Sequence, residues 1–348
     1  MQDIKAPKKN FLSFQLDPSL FEPASEEEKD QQRLMRESVS FMRDALRRLS
    51  RNRIAMICIF VIVLIALIAF IAPNFYPYSY TRQDVTAKYL RPFEYSAREQ
   101  ARIDNGEKIF PHIMGTDVLG RDYAIRVIYG TRISLLVGLV SAVIVIIIGI
   151  LYGSVSGYFG GRTDLIMMRI VDIIYSLPDV LIVILLSVAI REWVSSSKSE
   201  LVVKMGAGMV SIFLVFGLLY WVGMARQVRG QVLSIKEQEY VLASRAIGAR
   251  PARIIRKHMI PNCISVIIIT AAMQVPSAIF TESFLSFLGM GVSIPMPSLG
   301  SLASDARGGL VSYPYLLLFP ALSIFLIVLS FNLLGNGLRD AFDPKLRS

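Results

Sequence analysis

Long apolar runs, separated by shorter charged connections, recur along most of the chain. Each run is near the length of about 20 residues that crosses a hydrocarbon core of about 30 Å. Backbone amides find no water in that core, so each run is expected to form a helix with internal hydrogen bonds. We therefore predict an all-α polytopic membrane protein with six transmembrane helices, at residues 54–72, 133–152, 166–190, 205–224, 264–280 with an extension toward Leu288, and 313–334.

The charged connections predict how the chain is organised. Lys and Arg are concentrated before the first span and in the connection 225–263. Cationic connections stay on the cytoplasmic side, and an even number of spans returns the C-terminus to that side. The predicted segments are a cytoplasmic N-terminal tail at 1–53 with an amphipathic helix, the first transmembrane helix at 54–72, an extracytoplasmic segment at 73–132, a transmembrane domain at 133–335 with five helices and the cytoplasmic loop 225–263, and a cytoplasmic C-terminal tail at 336–348.

The amphipathic helix is predicted from apolar residues at helical spacing in the tail, Met35, Val39, Met42, Leu46 and Leu49. Arginines occupy the remaining faces of this helix. Such a helix lies along the inner leaflet or against a partner protein, and the pattern leaves both interpretations open.

The composition agrees with the spans and argues against nucleic-acid binding. Hydrophobic residues make up 53% of the chain and the mean hydropathy is +0.51, which is more apolar than ordinary soluble domains. The net charge is +10, but the cations lie next to the spans, where anionic lipid attracts them. Cys58 and Cys263 lie in or beside spans and are expected to pack rather than to form a disulfide or hold a metal.

Motifs for nucleotide hydrolysis and zinc chemistry are missing from the sequence. No Gly-x-x-x-x-Gly-Lys-Ser/Thr phosphate loop occurs, so the chain is not expected to hydrolyse ATP itself. His112 and His258 are the only histidines, and no His-Glu-x-x-His zinc motif occurs. We expect a non-catalytic protein with no catalytic residue and no metal or cofactor of its own.

The basic cytoplasmic loop carries the signals of two short helices joined by a turn. Ser234 followed by Glu237 is typical of a capping box and predicts that a helix begins at Ser234. Gly248 favours the left-handed conformation that ends helices, and Pro251 suits the first turn of a second helix. Pro261 disfavours continuing that second helix without a kink.

A polar stretch before the second span is rich in turn residues. Sharp turns are favoured by Gly115, Gly120 and Gly130. Asp122 is expected to cap a short helix that runs to Tyr129. Two interpretations are possible for Asp117 and Asp122, a cation site or turn formation. The sequence has no further ligands clustered near them, which favours turn formation.

Small and charged residues inside the spans are candidates for packing and for function. In the second span, Gly149, Gly153 and Gly157 form a stripe that lets another helix approach closely. In the third span, Arg169 and Asp172 are predicted to neutralise each other, and Asp179 follows a kink expected at Pro178. Charges in spans are expensive, so these three residues either form a self-satisfied pair near the inner surface or line or gate a pathway.

The fifth span is predicted to end in a bent or re-entrant segment because of Pro276, Gly289 and Gly291. Broken backbone is tolerated at membrane depth only where protein or water covers it. The segment 282–291 is therefore a candidate for the outer end of a pathway, with the candidate residues Glu282, Ser283 and Phe284.

The basic loop reads Leu242-Ala243-Ser244, then Gly248, then His258-Met259-Ile260-Pro261. It resembles the cytoplasmic loop of ABC importer membrane subunits, which has the pattern Glu-Ala-Ala, three residues, Gly, nine residues, Ile-x-Leu-Pro. The spacing agrees, whereas Leu242, Ser244 and His258 depart from the pattern. The resemblance implies a coupling helix in a groove of an ATPase subunit, with the contact residues Glu239, Tyr240, Leu242, Ala243, Ser244, Ala246, Gly248, Arg250 and Pro261. A basic loop against lipid headgroups is the alternative.

A second resemblance covers roughly residues 51–345. Its motifs are Gly-Thr-Asp-x-x-Gly-Arg-Asp at 115–122, Tyr-Gly-x-Arg-x-Ser at 129–134, and the segments 282–291, 295–300, 305–307 and 335–344. In this order they resemble the C-type permease subunit of oligopeptide and dipeptide ABC importers. The resemblance implies a type I ABC importer permease fold in the inner or plasma membrane of a prokaryote.

The same resemblance implies a set of partners. These are a second, homologous permease subunit that forms a heterodimer, two ABC ATPase subunits that bind ATP and Mg, an extracytoplasmic substrate-binding protein, a peptide substrate and the lipid bilayer. Nickel, glutathione or another small solute are alternatives to peptide. A different class of function is an ion-driven secondary transporter with Arg169, Asp172 and Asp179 as relay groups, which leaves the basic loop unexplained.

Overall fold

The computed structural model describes residues 41–196, 199–292 and 296–342, which are predominantly helical. In these residues the β-type pairing is limited to an isolated bridge between Thr116 and Asp122. The chain divides into two compact units, Met1–Ala45 and Leu46–Ser348.

The first helix, α1, covers Phe41–Arg51 and includes the boundary between the two units. It contains the second half of the predicted amphipathic pattern, whereas Met35 and Val39 lie outside the described residues.

The remaining helices form the second unit. They are α2 Arg53–Ile71, α3 Ala97–Asp104, α4 Tyr123–Phe159, α5 Gly161–Ser176, α6 Asp179–Ser195, α7 Glu200–Met205, α8 Ala207–Leu219, α9 Trp221–Ile235, α10 Glu239–Ala246, α11 Pro251–Ile254, α12 Ile260–Asn262, α13 Ile264–Phe287, α14 Leu299–Asp305 and α15 Tyr315–Phe342.

Five helical stretches are long and apolar enough to cross a membrane, and they are Arg53–Asn74, Tyr123–Phe159, Ala207–Ile235, Ile264–Phe287 and Tyr315–Phe342. The predicted third span is instead the pair α5 and α6, which meet at a bend of 95°. The pair counts as one broken span if it crosses the membrane, and the total is then the six that the sequence predicts. Pro178 lies at the break, where the sequence predicts a kink.

Helix α4 is much longer than the predicted span 133–152. The Asp122 side chain caps it by accepting a hydrogen bond from the Ile125 amide at 3.0 Å, as predicted. The expected separate helix ending at Tyr129 is wrong, because Gly130 continues the helix instead of forming a turn. A Cβ at Gly130 would meet the Leu299 amide of α14 at 3.2 Å, so this glycine permits close packing.

The glycine stripe of α4 packs against α9, as the small-residue spacing predicts. A Cβ at Gly149 would come within 2.5 Å of Met224, and one at Gly157 would come within 2.9 Å of Val232. Gly153 lies between them against the Ala225 carbonyl group. Helices α4 and α9 therefore approach closely because their interface carries no side chain at these three positions.

The end of the fifth span differs from the prediction. Helix α13 continues through Pro276 to Phe287, and the left-handed residue that follows it is Gly289, with φ of +83°. The expected broken backbone at residues 282–287 is therefore wrong. Helix α15 extends past the predicted end of the last span at residue 334, so the first part of the predicted C-terminal tail is helical.

Candidate functional site

The segment that joins α9 to α13 contains two short helices, and we call residues 238–254 the elbow. Helix α9 ends at Ile235, so Ser234 lies in its last turn and the predicted helix start at Ser234 is wrong. Helix α10 begins at Glu239, after Gln238 in an extended conformation. The Gln238 carbonyl accepts hydrogen bonds from the Val241 and Leu242 amides at 2.9 and 3.1 Å.

The turn of the elbow is built as the sequence predicts. Gly248 has φ of +79°, and its amide donates to the Arg245 carbonyl at 2.9 Å. A Cβ added at Gly248 would meet no atom within 4 Å, so glycine is required here for its conformation and not for space. Pro251 occupies the first position of α11, and a π-helical stretch at Ile255–Met259 precedes Pro261.

Two fully buried apolar side chains anchor the elbow, and most of its other side chains are exposed. Val241 and Ile254 are fully buried, whereas the Ile247 side chain is 85% exposed. Among the predicted contact residues, Ser244 is half-buried and donates its hydroxyl hydrogen bond to the Tyr240 carbonyl. The remaining predicted contact residues are exposed, and they are Glu239, Tyr240, Leu242, Ala243, Ala246, Gly248, Arg250 and Pro261.

The elbow is connected to α4 as well as to α9. The Arg245 guanidinium lies over the Tyr158 ring of α4, at 4.9 Å from the ring centroid. Val241 belongs to the same buried core as Val232 and Ile235 of α9. The exposed face of the elbow is therefore held on two long helices and is not a free loop.

Several of the resemblance motifs meet at the N-terminal end of α4, and we call Glu99, His112, Asp117, Asp122 and Arg126 the α4 N-terminal cluster. Asp117 accepts hydrogen bonds from Arg121 Nε at 2.7 Å, from Arg126 Nη1, and from the Leu119 amide. Arg126 Nη2 also lies 3.6 Å from Asp305 Oδ2. Asp117 thus forms a turn and an ion pair, which was the favoured alternative to a cation site.

His112 is buried between two carboxylates of this cluster. Its Nδ1 lies 2.7 Å from Asp122 Oδ2, and its Nε2 lies 3.1 Å from Glu99 Oε1. Burial by itself lowers the pKa of the His112 imidazole, but the hydrogen bonds and charges of Asp122 and Glu99 outweigh it, so the pKa is raised above its usual value. Both ring nitrogens donate only in the imidazolium form, which the two acceptors favour.

Glu282 lies in the interior of the chain, at a second meeting point of the motifs. It is fully buried and accepts hydrogen bonds from the Ser134 hydroxyl at 2.9 Å and the Ser286 hydroxyl at 2.7 Å. Ser283 is also buried, and a Cβ at Gly300 would overlap its backbone. Glu282 and Ser283 are thus buried within this single chain, and their assignment to a pathway stays a prediction.

Phe284 is the candidate that does reach a cavity. Its side chain is exposed and lines a cavity of about 180 Å³. Val183 and Tyr220, which line the same cavity, also line an adjoining one of about 460 Å³ at the break between α5 and α6.

The predicted pair of Arg169 and Asp172 is not formed. Asp172 Oδ1 instead accepts from Arg226 Nη2 of α9 at 2.8 Å, while Arg169 is exposed on α5. Asp179 is the first residue of α6, and its side chain lies outside the described residues. Among the described side chains, Arg169 and Asp172 therefore do not form the predicted pair.

Sequence reasoning missed an ion pair that joins α5 to α9. Arg229 donates from Nε and from Nη2 to the two carboxylate oxygens of Asp164, and the Ser156 hydroxyl of α4 donates to the same carboxylate. The sequence could have indicated Asp164 as a charged residue in the first turn of an apolar helix. Its partner Arg229 is 65 residues away, so neighbouring residues do not identify it.

Comparison with known proteins places these features in one family. A family model described as the binding-protein-dependent transport system inner membrane component matches residues 146–348, and a model of the N-terminal TM domain of oligopeptide transport permease C matches residues 40–92. The chain is 42% identical to the oligopeptide transport system permease protein OppC of Bacillus subtilis, over 94% of this chain and 98% of that protein.

Two further relatives differ in the solute that they are named for. The dipeptide transport system permease protein DppC of Bacillus subtilis is 44% identical over 92% of this chain and 91% of its own length. The glutathione transport system permease protein GsiD of Pectobacterium atrosepticum is 37% identical over 88% of this chain and 92% of its own length. The chain therefore belongs to the family of inner-membrane permease components of binding-protein-dependent transport systems.

Proposed function

We propose that this chain is a transmembrane permease subunit of an ATP-driven importer of oligopeptides or dipeptides. The names of its relatives at 42% and 44% identity support a peptide substrate. The positive-inside rule supports an orientation with both termini in the cytoplasm, which places the elbow on the cytoplasmic side and the α4 N-terminal cluster outside.

The exposed surface of the elbow is the observation that carries this proposal. Two buried anchors, Val241 and Ile254, hold a helix pair on which most of the other side chains are exposed, including those of Tyr240, Leu242 and Ile247. Large apolar side chains grouped on an exposed surface mark a site of protein contact. Two ATPase subunits that bind ATP and Mg are the proposed partners, and each permease elbow would sit in a groove of one ATPase.

The pathway would be shared between two permeases. This chain would form one half with a second, homologous permease, and an extracytoplasmic binding protein would deliver the peptide. The 37% identity to a glutathione permease keeps glutathione as an alternative solute within the same mechanism. Nickel stays an alternative from the sequence, and the bound solute of the purified complex would decide among the three.

The test is a substitution that fills the exposed face of the elbow. Ala243→Phe adds bulk where close approach to an ATPase is proposed, so ATP-driven peptide uptake into proteoliposomes should fall at least about tenfold, a size typical of a lost coupling. The amount of protein in the membrane should stay the same. Ala101→Phe, at an exposed alanine of α3, is the matched control and should keep normal uptake.

Normal uptake by the Ala243→Phe complex would contradict docking at the elbow. An ion-driven transporter makes the opposite prediction, because this chain alone would then transport in liposomes under a proton gradient without any ATPase subunit.

A further inference from the structure

The ion pair between Asp164 and Arg229 joins α5 to α9, two helices whose paired residues are 65 positions apart in the sequence. Arg229 uses two nitrogens on the two oxygens of one carboxylate, which is the strongest arrangement of this pair of groups. The Asp164 side chain is 15% exposed and that of Arg229 is 31% exposed. Water therefore screens this pair far less than a surface ion pair.

A third helix takes part in the same contact. Ser156, near the end of α4, donates its hydroxyl hydrogen bond to Asp164 Oδ1. Asp164 lies in the first turn of α5, where the helix dipole favours a negative charge. The Asp164 carboxylate of α5 therefore accepts hydrogen bonds from both α4 and α9.

A second pair between α5 and α9 provides a contrast. Asp172 and Arg226 also form an ion pair, but their side chains are 54% and 36% exposed. An exposed pair of this kind contributes little because water and salt screen it. Of the two ion pairs between these helices, the one at Asp164 is therefore expected to contribute more, although Arg226 also lies over the Tyr175 ring of α5, at 4.2 Å from its centroid.

The Asp164–Arg229 ion pair lies on helices that lead to the elbow and to the cavity at the bend, so it could transmit movement from one to the other. Helix α9 leads directly into the elbow, and α5 leads to the bend at Pro178. The cavity of about 460 Å³ is lined by Tyr175 and Pro178 at the bend and by Tyr220, the residue between α8 and α9, among others. A movement of α9 that is carried to α5 changes the walls of this cavity.

We propose that Asp164 and Arg229 are positioning residues that make α5 move together with α9 when the elbow is displaced. Movement of the elbow by an ATPase would then reach the cavity at the bend through this ion pair. The inference rests on the proposed permease function, since it assumes that the elbow is what ATP hydrolysis moves.

The experiment compares single and double neutral variants in the reconstituted complex. Asp164→Asn and Arg229→Gln each leave one poorly hydrated charge without its partner, so both should lower the amount of protein in the membrane and the uptake. The double variant leaves no lone charge, so its membrane level and melting temperature should return close to those of the wild type. Peptide uptake per ATP hydrolysed should nevertheless stay at least about fivefold low, because the connection is missing.

Two outcomes of this comparison would overturn the proposal. If the double variant recovers uptake per ATP together with its stability, the pair has only a structural role. If Asp172→Asn lowers uptake per ATP as much as Asp164→Asn does, then removing either carboxylate of α5 has the same effect, and the Asp164–Arg229 pair has no special role. The exposed ion pair of Arg102 and Glu107 supplies a control, because Glu107→Gln should leave both quantities unchanged.

A distance measurement separates this inference from the proposed function. Spin labels at Arg162 and Gly230, which are exposed on α5 and α9, would be placed in a protein whose two cysteines are changed to alanine. The wild-type pair should give one narrow distance with and without ATP, and the double variant should give a broadened distribution. Identical distributions would overturn the inference, whereas a complex that hydrolyses ATP but imports no peptide would contradict the proposed function alone.

Discussion

The elbow and the α4 N-terminal cluster lie at opposite ends of α4. The polar side chains of the cluster are mostly buried and are paired, whereas most side chains of the elbow are exposed. At the N-terminal end of α4, Asp117 and Asp122 are buried and paired with Arg126 and His112. Each such group requires a partner, because a buried unsatisfied polar group costs about 1–3 kcal/mol. At the other end, most side chains of the elbow are exposed and only Arg245 is tied to α4 by its charge.

This difference shows which region can be altered without unfolding the protein. The cluster holds the shape of the segment before α4, so changes there act first on stability. The elbow is mostly exposed, so changes there are expected to act first on the proposed contact with an ATPase. Helix α4 joins the two through 37 residues, a length of about 55 Å at about 1.5 Å per residue.

The largest effect is expected at Glu282, in the interior beside the cluster end. Glu282→Ala removes the acceptor of the Ser134 and Ser286 hydroxyls and leaves a cavity, so the protein should lose about 3 kcal/mol of stability. Thermal unfolding of the detergent-solubilised protein measures this loss. Asp104→Ala, at an exposed carboxylate of α3, should change the melting temperature little. Equal behaviour of the two variants would show that the Glu282 hydrogen bonds do not hold the interior together.

A smaller loss is expected where α4 passes α9. A Cβ at Gly153 would overlap the Ala225 backbone, so Gly153→Ala should push the helices apart and cost about 2 kcal/mol. Gly230→Ala, on α9 with open space around it, is the matched control and should be neutral or stabilise by up to about 1 kcal/mol. An equal melting temperature for both variants would contradict the close approach at the stripe.

Within the elbow, a buried and an exposed apolar residue should separate stability from coupling. Val241→Ala removes two methyl groups from the core and should cost about 1.5 kcal/mol. Ile247→Ala should leave the melting temperature unchanged and lower ATP-driven uptake, because Ile247 is exposed and available to a partner. Uptake at the wild-type level with Ile247→Ala would remove this residue from the proposed contact.

The smallest effect is a dependence of stability on pH at the cluster end. The pKa of His112 is raised in the folded protein above its ordinary value of 6.5, so its stabilising contribution is complete below that value and is lost as the pH rises through the folded pKa. His112→Gln should abolish this part of the pH dependence. A melting temperature with the same slope against pH in both proteins would assign the dependence to other groups.

The comparison also shows what sequence patterns predict. Gly248, Pro251 and the cap at Asp122 act through local backbone conformation, so a few neighbouring residues suffice to predict them. Ser234 misled because the pattern of a serine followed by a glutamate three residues later also occurs in the last turn of a helix. There Val232 and Ile235 continue the buried face of α9 and outweigh the cap.

The partners of the buried charges could not be predicted in this way. Arg229 and Asp164 are 65 residues apart, and Ser134 and Glu282 are 148 apart. Only the packing of the helices decides which charges meet, which is why Asp172 pairs with Arg226 and not with its helical neighbour Arg169. The spacing of neighbouring residues in the sequence therefore cannot predict which distant side chains form pairs.

The most direct test of the account is to identify what the exposed face of the elbow contacts in the native membrane. A photo-crosslinking amino acid at Tyr240 or Ile247, followed by mass spectrometry of the adducts, reads this contact, with Ala101 as the control position. We predict adducts with an ATP-binding subunit from both elbow positions, with a yield that changes when ATP is added. Adducts with lipid alone, or the same products from Ala101, would contradict the account.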